Sequence, residues 1–249
     1  MSSWIYTDAD NTLWDTDALF AEAQLALLEA AEQFCGLKGP ATGRLEFVRA
    51  FDQAIAVRHH QQLRYPPALL VGALCDGLKG VSPEVAAQRA LTEGAVPANV
   101  ETEALRGYSA VVSGIPPILD GVERGLRVAH EHGIPVYVIS EGPLDTVRTR
   151  LKAHDLEKLT TGALSAQKTR DLYLRLKVRA ESHTAVMIGD QADRDIRVAH
   201  EAGLRTILIL GRFRPRWTNS TDTNYADVVV HDFSQAVDAV IRLDASSPA

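Results

Sequence analysis

YTDADNTLWDTD, residues 6–17, gathers four aspartates directly behind a short run of strand-forming residues. Like charges this close repel, and a carboxylate removed from water is costly unless a cation, a donor or a ligand compensates it. Positive charge is therefore expected beside Asp8 and Asp10, at the point where a first strand should end.

Outward from this stretch, residues 3–8, 134–139, 184–189, 205–210 and 227–230 read as strands, each short, rich in β-branched residues and bounded by Gly, Pro or polar positions. Helical patterns lie between them. Residues 121–133 place Val122, Leu126 and Ala129 on one face and stop at Gly133, 143–156 carry Val147 and Leu151, and 195–203 end on Gly203. Strand and helix in alternation predict an α/β fold, a doubly wound parallel sheet covered on both faces. Residues 17 to about 113 break the rhythm: they hold no convincing strand but several helical patterns, at 17–34, 43–63, 67–78, 82–94 and 99–112. They predict an all-helical insertion, and GIPP (114–117) is a stiff joint at its return.

In parallel α/β sheets the site lies outside the carboxyl ends of the strands. Those ends deliver Asp8 and Asp10, then Ser140 with Glu141 and Gly142, then Asp190 with Asp195 five residues on; Lys168 falls in a loop or helix start before the strand at 184–189. Clustered aspartates without His or Cys ligands suit a hard cation that prefers oxygen, and one or two carboxylates with water and phosphate is the habit of Mg²⁺. A phosphate would then be held by Mg²⁺ on one side and by Lys168, Ser140 and backbone amides at a helix start on the other.

These residues resemble the haloacid dehalogenase-like (HAD) hydrolases. Asp8-Ala9-Asp10-Asn11-Thr12 matches the first signature, Ser140 in VYVISEG the second, Lys168 the third, and Gly189-Asp190 through Asp195 the fourth, followed by Ala199 to Gly203. The likeness covers residues 3–15 and 118 to about 235, and the helical insertion sits where that family places a cap. It implies a catalytic core of residues 1–15 and 117–242 and a helical cap of 16–116; the small, polar residues 243–249 are expected to form a disordered tail. It also implies a Mg²⁺-dependent phosphatase of a small phosphorylated metabolite. Asp8 would be the nucleophile and Asp10 the general acid/base. Asp8, the Asp10 carbonyl, Asp190 and Asp195 would be the metal ligands, and Ser140, Glu141 and Lys168 would surround the phosphate. Lys158 competes with Lys168, and Asp193 with Asp195. Glu141 is awkward, because a carboxylate beside a phosphate repels it unless it points away or meets a positive group. Arg58, His59, His60 and Arg64 in the cap are candidate substrate contacts, with a solvated helix face as the plainer account. Alternative readings are a sugar-phosphate mutase, a 2-haloacid dehalogenase, for which the extra aspartates would be superfluous, or a phospho-accepting regulator.

Composition is that of an ordinary globular protein: 249 residues, 46% hydrophobic, 23% charged, net charge −6. Without a dense basic block, nucleic acid and anionic membrane surfaces are disfavoured as partners. No apolar run is long enough to span a bilayer and the N-terminus lacks signal-peptide character, so a cytoplasmic location is expected; oligomeric state is not legible. Cys35 and Cys75, the two cysteines, read as free buried thiols. Asn11 is expected to take a left-handed turn conformation, and Asp15 and Asp17 to start the first helix.

Overall fold

A computed structural model describes residues 3–60, 65–93, 96–211 and 220–246. Its strands are β1 (Ser3–Thr7), β2 (Val136–Ser140), β3 (Gly162–Ser165), β4 (Thr184–Gly189), β5 (Arg205–Ile209) and β6 (Val228–Val230). The helices are α1 (Thr16–Cys35), α2 (Arg44–Arg58), α3 (Pro67–Leu78), α4 (Pro83–Glu93), α5 (Ala98–Val112), α6 (Val122–Glu131), α7 (Leu144–Ala153), α8 (Arg170–Arg179), α9 (Val198–Glu201) and α10 (Phe233–Ser246).

All six strands pair in parallel, in the order β3-β2-β1-β4-β5-β6. The alternation of side chains along each strand separates two apolar faces. Ile5, Val138, Val186, Ile188 and Ile207 pack with α6, α7 and α10 through Leu126, Leu151 and Phe233. Tyr6, Ile139 and Met187 point the other way, onto Tyr173 and Leu176 of α8 and Ala199 of α9. Burying each such side chain contributes roughly 1.5–3 kcal/mol. That is why the strand signals were so clear in β1, β2 and β4. β3 escaped the sequence reading: GALS is small, and as an edge strand it is half exposed, so no hydrophobic alternation marks it.

The chain divides into two compact units. Among the described residues, those up to Thr16 and from Ile115 onward form the α/β unit; Asp17–Gly114 form a helical one. The helical unit has its own core, including Leu27, Leu28, Phe51, Ile55, Leu70 and Leu74. Where the chain leaves and re-enters the α/β unit the two strands of backbone are tied together. Asp15 N donates to Pro117 O at 2.8 Å, Leu119 N to Leu13 O at 3.0 Å, and Trp14 bridges Ile118 antiparallel.

Two boundaries differ from expectation. α2 stops at Arg58 rather than continuing to 63, because His59 turns to extended backbone. α10 runs on to Ser246 although residues 243–249 were expected to be a disordered tail. Asp244 explains this: its carboxylate accepts hydrogen bonds from Ser3 N at 3.0 Å and Ser3 Oγ at 2.6 Å, which pins the last turn to the start of β1. Residues 247–249 lie outside the described residues. No described helix is long and apolar enough to cross a membrane.

Candidate active site

From β1 the connections run outward to β2 and β3, and the chain then returns to place β4 on the other flank of β1. This makes the gap between the ends of β1 and β4 the switch point of the sheet, where two loops diverge and leave a crevice. Asp8 follows β1 directly, and its N–H donates to Ile188 O at 2.9 Å, so its carboxylate stands level with the end of β4. The chain then turns sharply. Asn11 takes the left-handed conformation foreseen for it, φ +56°, and Leu13 N reaches back to Ala9 O at 2.8 Å. That turn leaves Asp10 partly exposed, with Trp14 Nε1 donating to its Oδ1 at 2.9 Å and Arg150 Nη1 donating to the same oxygen at 2.8 Å.

β4 ends on Gly189 and Asp190, and Ala192–Arg197 then wind as a wide π-helical stretch. Its looseness carries Asp195 inward, to full burial. Asp195 Oδ2 accepts Gln191 N–H at 3.1 Å, and a Cβ on Gly189 would stand 2.4 Å from that same oxygen. The glycine is thus the space that Asp195 occupies. Asp193 remains half-exposed and outside the cluster.

Of the two candidate lysines, Lys168, on the segment between β3 and α8, is the one that stands beside the acids. Its ammonium, 5% exposed, pairs with Asp8 Oδ1 and with Asp195 Oδ1, the latter at 2.6 Å, whereas Lys158 is exposed. Burial pushes the Asp8 carboxyl up to about 7, with Lys168 opposing and Asp195 and Asp10 adding to the rise. Burial lifts Asp190 well above the carboxylate range as well, reinforced by the charges of Asp8 and Asp195. Burial works against the charge of Lys168, but the carboxylates of Asp195 and Asp8 outweigh it and hold the ammonium protonated far above its ordinary range. One lysine faces three acids, so ionising all three would leave negative charge uncompensated, which together with burial is why the carboxyls resist ionisation without a further cation. Oxygens of Asp8, Asp190 and Asp195 lie within 4.8 Å of one another, and Asp190 Oδ1 is buried without a hydrogen-bond partner. An all-carboxylate donor set with an orphaned oxygen fits a hard divalent cation.

At the end of β2, Ser140 is buried and its Oγ accepts Gly142 N–H at 3.0 Å, which leaves its own proton to donate. It does not cap α7, whose N-cap position is Pro143. The Glu141 carboxylate has partners of its own. Its Oε1 accepts Lys168 N–H at 3.1 Å and its Oε2 accepts Arg194 Nη1 at 2.9 Å, so the carboxylate ties together the loops after β2, β3 and β4. The positive group it needed comes from the α/β unit itself. Thr12 Oγ1, buried and without a partner, is a further hydroxyl in the loop after β1.

Sequence reasoning missed Arg150, Trp14 and Arg194. An arginine in a helix such as α7 reads as solvated face, and nothing local links Arg150 to an aspartate 140 positions earlier. In the helical unit, Arg58 Nη1 donates to Ala54 O of its own helix at 2.9 Å, and His59 lies against His60, ring centroids 4.4 Å apart. Arg64 falls outside the described residues.

Residues 161–236 match the family model described as HAD-hydrolase-like. The fold is that of the HAD-like hydrolases. A HAD family hydrolase from Deinococcus radiodurans R1, with bound phosphate and sodium, superposes with a TM-score of 0.66 at 16% identity over 100% of this chain and 99% of that one. A proposed HAD-hydrolase of Bacillus subtilis bound to magnesium gives 0.58 at 14% identity, covering 96% and 99%. The 2-haloacid dehalogenase of Pseudomonas syringae pv. Tomato DC3000 gives 0.50 at 20% identity, covering 98% and 100%. No curated protein matches. A HAD-like fold therefore hosts both phosphate-binding and carbon–halogen chemistry, and the distinction rests on individual side chains.

Proposed function

We propose that the protein is a Mg²⁺-dependent phosphatase of a small phosphorylated metabolite, acting through an aspartyl-phosphate on Asp8. The observation that carries this is the cluster of Asp8, Asp190 and Asp195 at the switch point, with Lys168 paired to Asp8 and Asp195 and with Asp10 two residues beyond the proposed nucleophile. A dehalogenase attacking carbon would have no use for Asp10, Asp190 and Asp195 together.

In this reading Asp8 attacks phosphorus while Lys168 holds its carboxylate in line, and Ser140 Oγ donates to a phosphoryl oxygen. Asp10 gives its proton to the leaving oxygen, then takes one from the water that hydrolyses the aspartyl-phosphate. Asp8, Asp190 and the Asp10 carbonyl would hold Mg²⁺, with Asp195, tied to Gln191 N–H and Lys168, contributing directly or through a water. The cation supplies charge neutralisation for the transferring phosphoryl group. The helical unit is the part proposed to read the remainder of the substrate, as the lid the sequence suggests; movement between domains is described for the magnesium-bound Bacillus subtilis protein.

Phosphate release from a panel of phosphorylated metabolites tests the reading. EDTA should abolish it, and Asp8→Asn should lower kcat at least about a thousandfold while thermal stability is kept. Turnover indifferent to both would overturn the mechanism. Interconversion of sugar-phosphate isomers without net phosphate release would redirect it to a mutase.

A further inference from the structure

Asp10 is held by one oxygen. Arg150 Nη1 and Trp14 Nε1 both donate to Oδ1, at 2.8 and 2.9 Å, and no described residue donates to Oδ2. The two donors come from different elements, Arg150 from α7 and Trp14 from the turn after β1, and they brace each other: the guanidinium lies 5.8 Å from the centroid of the indole ring. Arg150 is 11% exposed and its Nε is buried with no partner, whereas Asp10 is 40% exposed. An arginine that merely closed a surface ion pair would keep its guanidinium in water, where such a pair contributes about 0–1 kcal/mol. Here the guanidinium has been taken out of solvent to reach one carboxylate oxygen.

We propose that Arg150, with Trp14, is a positioning residue for proton transfer: by occupying Oδ1 of Asp10 it fixes the carboxyl plane and makes Oδ2 the oxygen that carries the proton. The inference rests on Asp10 being the general acid/base. An oxygen that receives two N–H donors has both lone-pair directions engaged, so the proton of the acid form sits on Oδ2. In the first step that proton passes from Oδ2 to the leaving oxygen as its bond to phosphorus breaks and the Asp8–phosphorus bond forms. In the second step Oδ2 accepts a proton from water as the water oxygen bonds phosphorus and the Asp8–phosphorus bond breaks. A carboxyl free to rotate would present either oxygen, and misplacement of a proton donor by a fraction of an ångström is expensive in rate.

A double-mutant cycle tests this on the full chain with Mg²⁺, using p-nitrophenyl phosphate, whose leaving group needs little protonation, and an alkyl phosphate, whose leaving group needs it. Arg150→Gln should lower kcat on the alkyl phosphate roughly 10- to 100-fold with KM little changed, and lower it less on the aryl ester. Added to Asp10→Asn, the same change should cost less than about threefold, since there is no proton left to position. Arg150→Lys, which keeps the charge but loses the planar fork, should recover part of the rate and serves if the Gln variant folds poorly. Equal losses from Arg150→Gln in both backgrounds, or equal losses on both esters, would overturn the proposal and make Arg150 a structural strut. Wild-type turnover of the alkyl phosphate by Asp10→Asn would instead remove the acid/base role itself, and the proposal with it.

Discussion

Gly189 is bare because Asp195 fills the place of its side chain. Substitution by alanine sets a methyl 2.4 Å from Asp195 Oδ2, an approach that real Cβ atoms do not make. Since Asp195 is fully buried and tied to Gln191 N–H and Lys168, it cannot move without releasing the lysine. Gly189→Ala should therefore cost about 1–3 kcal/mol of stability through overpacking and reduce phosphate release far more than stability. Thermal melts and single-turnover rates on one preparation separate the two effects. The role of Glu141 was hidden from sequence for a related reason. A carboxylate next to a candidate phosphate site looks out of place until its two partners, Lys168 N–H and Arg194, arrive from loops after other strands.

Between elements, the α1–α2 junction shows how one acid organises a helix pair. Glu32 of α1, 3% exposed, accepts Arg44 Nη1 at 2.6 Å, Gly39 N–H at 2.9 Å and Lys38 Nζ at 3.3 Å. The Arg44 hydrogen bond, ahead of the opposing cost of burial, holds its carboxyl down at about 2 against an ordinary 4.5. The folded form thus prefers the ionised acid, so its contribution is complete above pH 4.5 and fades as pH falls from there toward 2. Glu32→Gln should cost on the order of 2 kcal/mol at neutral pH. The gap from wild type should close across that acid window, as urea unfolding at a series of pH values would reveal. At this scale the sequence was legible where burial imposes a period. α3 spans the foreseen Pro67–Leu78, since proline opens it and its apolar residues are buried, and β4 matches residue for residue. It was illegible where geometry departs from a period: β3 has no buried face to announce it, and the π-helical stretch at Ala192–Arg197 hides in a pattern read as an ordinary helix. In the site, Asp8, Asp10, Asp190 and Lys168 could be found because each follows or precedes a strand end, whereas Arg150 could not, since only the tertiary fold brings α7 to the turn after β1.

For the whole molecule, two separate cores mean that unfolding is not obliged to be a single transition. Leu74→Ala empties a fully buried position of the helical unit and should destabilise that unit by about 2–5 kcal/mol. Calorimetry should then show an early transition for the helical unit while the later one, from the sheet unit, keeps its midpoint; hydrogen exchange would assign each to its residues.

The hydrogen bonds that tie Asp15 to Pro117 and Leu13 to Leu119 give the inserted helices a further property. Departure and return share one clasp, so both ends of the inserted segment are fixed at the same place on the α/β unit. A short turn across that clasp could replace the segment, and the paired ends of β1 and β4 would still bring Asp8 beside Asp190. Asp8, Asp190 and Asp195 all belong to the α/β unit, so the acid cluster is built without any residue of the inserted helices.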